Sequence, residues 1–244
     1  MGGDGGVALT VPASLRALEH NPELYLTLVG DELRLQQQLQ TAEAGLRERI
    51  RILHTQSSIS DEDKPGNVLR SGRQTSMFLA TELVQTGSVD AMVSAGNTGA
   101  LLMIGRHLLK TIPGVQKPAI VATIPGASKQ TYLLDVGANP ECSAQQLFEF
   151  AVMGSILAES LGNATATVGL LNIGAEHHKG TDEVQGAAKL LEGCEQLNYV
   201  GFVEANDLFE GAADVVVCDG FVGNVTIKSS AEWPTKLTGY SVHN

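Results

Sequence analysis

Asp214–Asn224 reads DVVVCDGFVGN, an unbroken apolar, β-branched run that stops in a loop of glycine, asparagine and acid. Runs of this kind read as strands buried on both faces, the mark of a parallel sheet. Three more stretches follow the pattern. Ala91–Ser94 enters AGNTGA, Tyr132–Asp135 enters VGANPE, and Val168–Ile173 enters GAEHHKG. Each leads into a helix-like stretch, such as Ala100–Lys110 or Ser143–Ser160. Parallel α/β sheets take ligands in the crevice beyond the carboxyl ends of their strands. Four loops with little side-chain bulk, converging there, would offer backbone N–H groups, side-chain amides and one lysine. That chemistry suits an anion and a carbonyl, not a metal.

Working outward, the periodicity predicts a helix over Val7–His20, a strand over Leu24–Val29, a helix over Glu32–Leu46 and a strand over Ile50–His54. Gln56–Gln74 is polar and reads as a loop, a hinge or a lid, before a helix over Thr75–Gln85. Ala119–Ile124 and Thr131–Val136 read as strands, paired as a hairpin or both central. Ser143 is the expected N-cap of the helix that follows it, with an apolar face of Leu147, Phe150, Ala151, Gly154 and Leu157. Asp182–Leu191 reads as a helix and Tyr199–Val203 as a strand. A last helix should start near Val225 and stop before Pro234, since an interior proline costs about 3 kcal/mol. The order of elements predicts an open, largely parallel sheet with helices on both faces, in one domain over 1–230 with an atypical tail over 231–244.

Composition narrows the function. The 244 residues are 43% hydrophobic but only 5% aromatic, so the core rests on Leu, Val, Ile and Ala. A net charge of −11 argues against nucleic acid as a partner. Local basic clusters remain, at Arg47, Arg49 and Arg51, at Arg70 and Arg73, and at Arg106, His107 and Lys110. Cys142, Cys194 and Cys218 are odd in number and lack metal spacing, which predicts reduced thiols in a cytosolic protein. Neither a signal peptide nor a run long enough to span a bilayer is expected.

Each loop carries its own chemistry. In Ser94–Ala100, Asn97 and Thr98 either cap the next helix or donate to a phosphate at its N-terminus. It is neither GxGxxG nor a Walker A sequence, so a nucleotide fingerprint is absent. Asp135 and Asn139 sit in DVGANPE as ligand groups or as organisers of their own loop. Lys179, bounded by glycines, can hold phosphate as a point charge or stand merely exposed. Its neighbours His177 and His178 lack a third metal ligand. Gly220 and Gly223 permit close backbone approach, and Asn224 is expected at a helix start, beside N–H groups that form an oxyanion hole. Cys218 reads as a small buried hydrophobe rather than a nucleophile.

These motifs, in this order, resemble the bacterial phosphate acyltransferases, the PlsX family. The matching stretches are MGGD (Met1–Asp4), LVGDE (Leu28–Glu32), VSAGNTGALL (Val93–Leu102), LLDVGAN (Leu133–Asn139), FAVMGSILAE (Phe150–Glu159), LLNIGAEHHKG (Leu170–Gly180), GFVEANDL (Gly201–Leu208) and VVVCDGFVGNVTIK (Val215–Lys228). The resemblance implies a Rossmann-like three-layer α/β/α sandwich, similar to the isocitrate dehydrogenase and phosphotransacetylase group. It implies transfer of a fatty acyl group from acyl carrier protein to inorganic phosphate, with no cofactor and no metal. The acyl phosphate then serves a membrane-bound glycerol-3-phosphate acyltransferase in phospholipid synthesis. It further implies a cytoplasmic homodimer with peripheral contact to the membrane. Lys179 and Asn224 match the family's loop lysine and loop asparagine, which makes them the first catalytic candidates. Asn97 and Thr98 follow for phosphate, then Asp135, Asn139, Gly220 and Gly223 around the substrate. The family begins with a strand before MGGD and continues past Ser230, so the resemblance predicts a domain truncated at both ends. SGRQTSM at Ser71–Met77 departs from the family's more basic pattern. Two other readings are a phosphotransacetylase-like enzyme using acyl-CoA and an inactive copy that serves as a binding module.

Overall fold

The computed structural model describes residues 3, 5–60, 62–63, 68–70, 72–126, 129–163 and 165–237, the last seven by their backbone alone. Most of the MGGD motif, parts of the 56–74 stretch and the tail beyond 237 lie outside the described residues. The chain forms two compact units, Met1–Ile112 and Pro113–Asn244, where the sequence pattern predicts one domain over 1–230.

The first unit runs α1 (Gly6–His20), β1 (Leu26–Gly30), α2 (Glu32–Leu39), α3 (Ala44–Arg47), β2 (Ile50–His54), α4 (Ser76–Gln85) and α5 (Thr98–Leu108). β1 and β2 pair in parallel, Leu26 opposite Ile50. The single helix expected over Glu32–Leu46 is two, because a turn at 40–43 interrupts it. Val11, Leu35 and Leu39 bury α1 and α2 together with Leu28, Ile50 and Ile52 of the strands. Ala91–Ser94, expected as a strand, has no ladder. Its side chains alternate between partial burial and solvent, and Val93 is 98% exposed, so the run has one covered face rather than two. The polar stretch after β2 is anchored rather than free. Ile59 and Val68 are buried with Met77, Phe78, Ala100 and Ile104. Its two ends meet where the Ser76 N–H donates to the Ser57 carbonyl at 3.0 Å.

The second unit carries a five-stranded sheet among the described residues. Its elements are β3 (Val121–Pro125), β4 (Gln130–Leu134), α6 (Ala144–Ser160), β5 (Thr167–Leu171), α7 (Asp182–Glu192), β6 (Asn198–Val203), β7 (Val215–Val217) and α8 (Gly220–Leu237). The strand order is β3-β4-β7-β5-β6. β3 is antiparallel to β4, settling the hairpin, and the other pairs are parallel. β7 shows why its sequence is apolar throughout. Val215 and Val217 pack under α6 with Phe150 and Leu147, while Val216 faces a second cluster with Leu133, Leu171 and Ile227 of α8. Ser143 caps α6 in a capping box with Gln146, as its sequence predicts. Gly154 brings α6 tight to the sheet, for a Cβ there would lie 3.1 Å from Leu134 Cδ1.

α8 starts five residues before Val225 and continues past Pro234 to Leu237. Pro234 thus lies within the described helix, where its missing N–H leaves a single backbone bond unmade. At the amino edge of the sheet, buried Asp214 accepts from Lys129 Nζ at 2.8 Å and from the Thr167 amide and hydroxyl at 2.8 and 2.6 Å. This ties the β3–β4 turn, β7 and β5 together.

Candidate functional site

β4, β7 and β5 are neighbours, so the loops at their carboxyl ends lie side by side along one edge of the second unit. Asp135 leaves β4 fully buried. Its Oδ1 accepts from the N–H groups of Ile120, Gly137 and Ala138 at 3.0, 3.2 and 2.9 Å. Its Oδ2 accepts from the Asn139 amide at 2.7 Å and from Asn139 Nδ2 at 2.9 Å. Asn139 Nδ2 also donates to the Pro118 carbonyl. Asp135 and Asn139 are therefore organisers of their loop. The loop amides expected to meet an anion already serve this carboxylate.

The start of α8 tells a similar story. The Gly220 N–H donates to the Asn139 carbonyl at 2.7 Å. Asp219 accepts from the Val222 N–H at 2.8 Å through Oδ1, and from the Gly223 N–H at 3.0 Å through its carbonyl. Asp219 thus caps the helix itself, and these amides are spent. Gly220 and Gly223 work by closeness: a Cβ on Gly220 would lie 2.8 Å from the Asn139 carbonyl oxygen, and one on Gly223 would collide with the Asp135 carbonyl. Asn224 lies one turn into α8 rather than at its start. It faces the loop after β4, its Cγ 3.8 Å from where a Cβ of Gly137 would stand. Among the described residues its side chain has no hydrogen-bond partner, so its amide is available to a ligand.

The loop after β5 is built on Asn172. Its N–H donates to the Val203 carbonyl of β6, its Oδ1 accepts from the Ile173 N–H, and its Nδ2 donates to the Lys179 carbonyl at 3.1 Å. Gly180, at φ +96°, closes the loop where only glycine is at ease. Lys179 Nζ meets Glu176 Oε2 at 2.8 Å, both side chains partly exposed. The hydrogen bond from Lys179 holds the Glu176 carboxyl below the usual range.

Asn97 and Thr98 belong to the first unit. There Asn97 caps α5, its Oδ1 accepting from the Ala100 N–H at 2.9 Å, and Thr98 is the first helical residue. Of the basic clusters, Arg49 is committed to structure. Its guanidinium donates to the carbonyls of Leu18, Asn21, Pro22 and Leu24. Burial pushes the thiols of Cys218 and Cys142 up, the latter to about 11, so neither is a thiolate nucleophile near neutral pH.

Asn172, Glu176 and Asp219 are the residues that loop chemistry alone passes over. Asp219 had a readable signal, an acid directly before the glycine that opens a helix. Asn172 and Glu176 had none, because their roles depend on the loop folding back on itself.

The chain matches the profile of the family described as "Fatty acid synthesis protein" over residues 1–237. It is 51% identical over 232 residues to the phosphate acyltransferase of Shewanella woodyi, covering 94% of this chain and 68% of that protein. It is 47% identical over 241 residues to the phosphate acyltransferase of Halorhodospira halophila, covering 98% of this chain and 70% of that one. In fold it resembles a phosphotransacetylase from Streptococcus pyogenes, with a TM-score of 0.68 at 17% identity over 92% of this chain and 78% of that one. It also resembles the EutD phosphotransacetylase from Staphylococcus aureus, with a TM-score of 0.63 at 20% identity over 97% and 81% of the two chains. Motifs, fold and sequence relatives agree, and the chain belongs to the phosphate acyltransferase family of fatty acid synthesis proteins.

Proposed function

We propose that this chain is an acyltransferase that moves a fatty acyl group from acyl carrier protein to inorganic phosphate, giving acyl phosphate. The observation that carries the reading is the pair of side-chain donors on neighbouring strand-end loops, Lys179 after β5 and Asn224 after β7, where most surrounding loop amides are already satisfied. Phosphate is an oxyanion at neutral pH, so the reaction asks for positioning and charge stabilisation rather than a strong base. Lys179 holds phosphate against the thioester. A phosphate oxygen attacks the carbonyl carbon, the carbonyl oxygen takes up the charge, and the Asn224 amide donates to it. The tetrahedral adduct collapses, the carbon–sulfur bond breaks, and the departing thiolate takes the proton shed by the new acyl phosphate. Asp135, Asn139, Gly220 and Gly223 keep the loops after β4 and β7 in place, and Asn172 holds the loop that carries Lys179. Asn97 and Thr98 remain further phosphate candidates.

In the cell this reading puts a cytoplasmic homodimer upstream of a membrane-bound glycerol-3-phosphate acyltransferase in phospholipid synthesis. Consistent with work from the aqueous side, no helix among the described residues is long and apolar enough to cross a membrane.

The test supplies palmitoyl-loaded carrier protein with and without phosphate and traps acyl phosphate as hydroxamate. Phosphate-dependent product is expected. Product from palmitoyl-CoA but not from the loaded carrier would transfer the assignment to a phosphotransacetylase-like enzyme. Failure with both donors from cooperatively folded protein would leave a binding module.

A further inference from the structure

We propose that Glu176 is an internal anion that occupies the place of phosphate on Lys179, so that this carboxylate helps set how tightly the site takes phosphate. The inference rests on the phosphate acyltransferase reading and concerns the same loop.

The loop is built to bring the pair together. The Lys179 N–H donates to the Glu176 carbonyl at 3.0 Å, a turn that sets the two side chains on the same side. Asn172 pins both ends of the loop, and Gln185 Nε2 holds the His178 carbonyl at 3.0 Å. The carboxylate and the ammonium then close over Gly174. A Cβ there would come within 2.6 Å of Glu176 Oε2, 2.6 Å of Lys179 Cδ and 2.8 Å of Lys179 Nζ. The bare backbone of Gly174 is thus the floor on which the lysine stem and its counterion lie.

An incoming phosphate meets an ammonium that is already neutralised. It binds only by displacing or crowding a like-charged carboxylate. A doubly charged oxyanion wins that exchange more readily than a singly charged one, which gives Glu176 a part in anion selectivity. The pair is partly exposed, so the effect is modest. Removing the competitor should tighten phosphate binding by about two- to fivefold, the range of an exposed ion pair.

The experiment uses the full chain and inorganic phosphate. Calorimetric titration without acyl donor gives the phosphate affinity, and steady-state kinetics give its KM. Glu176→Gln should improve both by about two- to fivefold, with the gain confined to KM rather than shared by kcat. Gly174→Ala, which pushes lysine and carboxylate off their floor, should raise the phosphate KM. Lys179→Met should weaken phosphate in both assays. Unchanged or weaker phosphate binding in a folded Glu176→Gln variant, with Lys179→Met still impaired, would overturn the role of Glu176 and leave the acyltransferase reading standing. Phosphate binding and turnover that ignore Lys179→Met would instead remove this lysine, and the reading built on it.

Discussion

Replacing Asp135 by asparagine changes one group and tests what holds the carboxyl edge of the sheet together. The native carboxylate accepts five hydrogen bonds, three at Oδ1 and two at Oδ2. Asparagine offers one acceptor oxygen and one NH₂. In its better orientation the oxygen keeps the amides of Ile120, Gly137 and Ala138, while both Asn139 donors face an NH₂ that cannot accept. A buried donor left unsatisfied costs about 1–3 kcal/mol, so the two together cost about 2–6 kcal/mol. With an m-value of about 2 kcal/mol per molar urea, the lower figure moves the unfolding midpoint down by about 1 M. Urea titrations of parent and variant at the same pH measure it. A midpoint within about 0.3 M of the parent would refute the claim that Asp135 is the frame of this loop.

Gly223→Ala should destabilise by about 1–3 kcal/mol or more, because the added Cβ meets a backbone carbonyl that cannot rotate away; an unchanged melting temperature would refute the close contact. Asn224→Ala should lower kcat by about 10²–10³, the usual loss for one oxyanion donor, and a fall of less than tenfold would take that role from it. Cys218→Ala should retain turnover, since its thiol is buried and raised; a dead but folded variant would reopen nucleophilic chemistry. The last prediction concerns acid. Burial alone would raise the Asp214 carboxyl, but the hydrogen bonds from Lys129 and Thr167 outweigh it and hold the group below its ordinary 3.8. The folded protein keeps this charge to lower pH than the unfolded chain does. Its stabilisation is therefore complete above the ordinary carboxylate range and is lost as pH falls below it. Lys129→Met should raise the pH of acid unfolding, and superimposable acid titrations would refute the clamp.

Much of the second unit could be read directly, and the reasons are physical. Val215–Val217 is apolar at every position because both faces of the strand are covered. Ser143 and Gln146 announce α6 because a capping box uses residues only three apart. Reading fails where the outcome depends on distant partners. Ala91–Ser94 has a strand's composition but no paired strand among the described residues. Pro234 lies inside α8, where a local rule puts the helix's stop. The site divides the same way. Lys179 and Asn224 stand out by residue type, whereas the use of the loop amides by Asp135 and Asp219 depends on side chains turning inward. Where the sequence points to backbone amides for an anion, the proposed site therefore rests on two side chains.

The meeting of Gly220 and Gly223 with the backbone of Asn139 and Asp135 has a consequence for how such enzymes diversify. The two glycines have no side chain to trim, and enlarging either one wedges it against a backbone carbonyl. Change of size is open instead to Phe221, Val222 and Val225, which stand exposed on the helix that carries the two glycines. A library built on those three positions varies the surface of α8 while the seam stays closed.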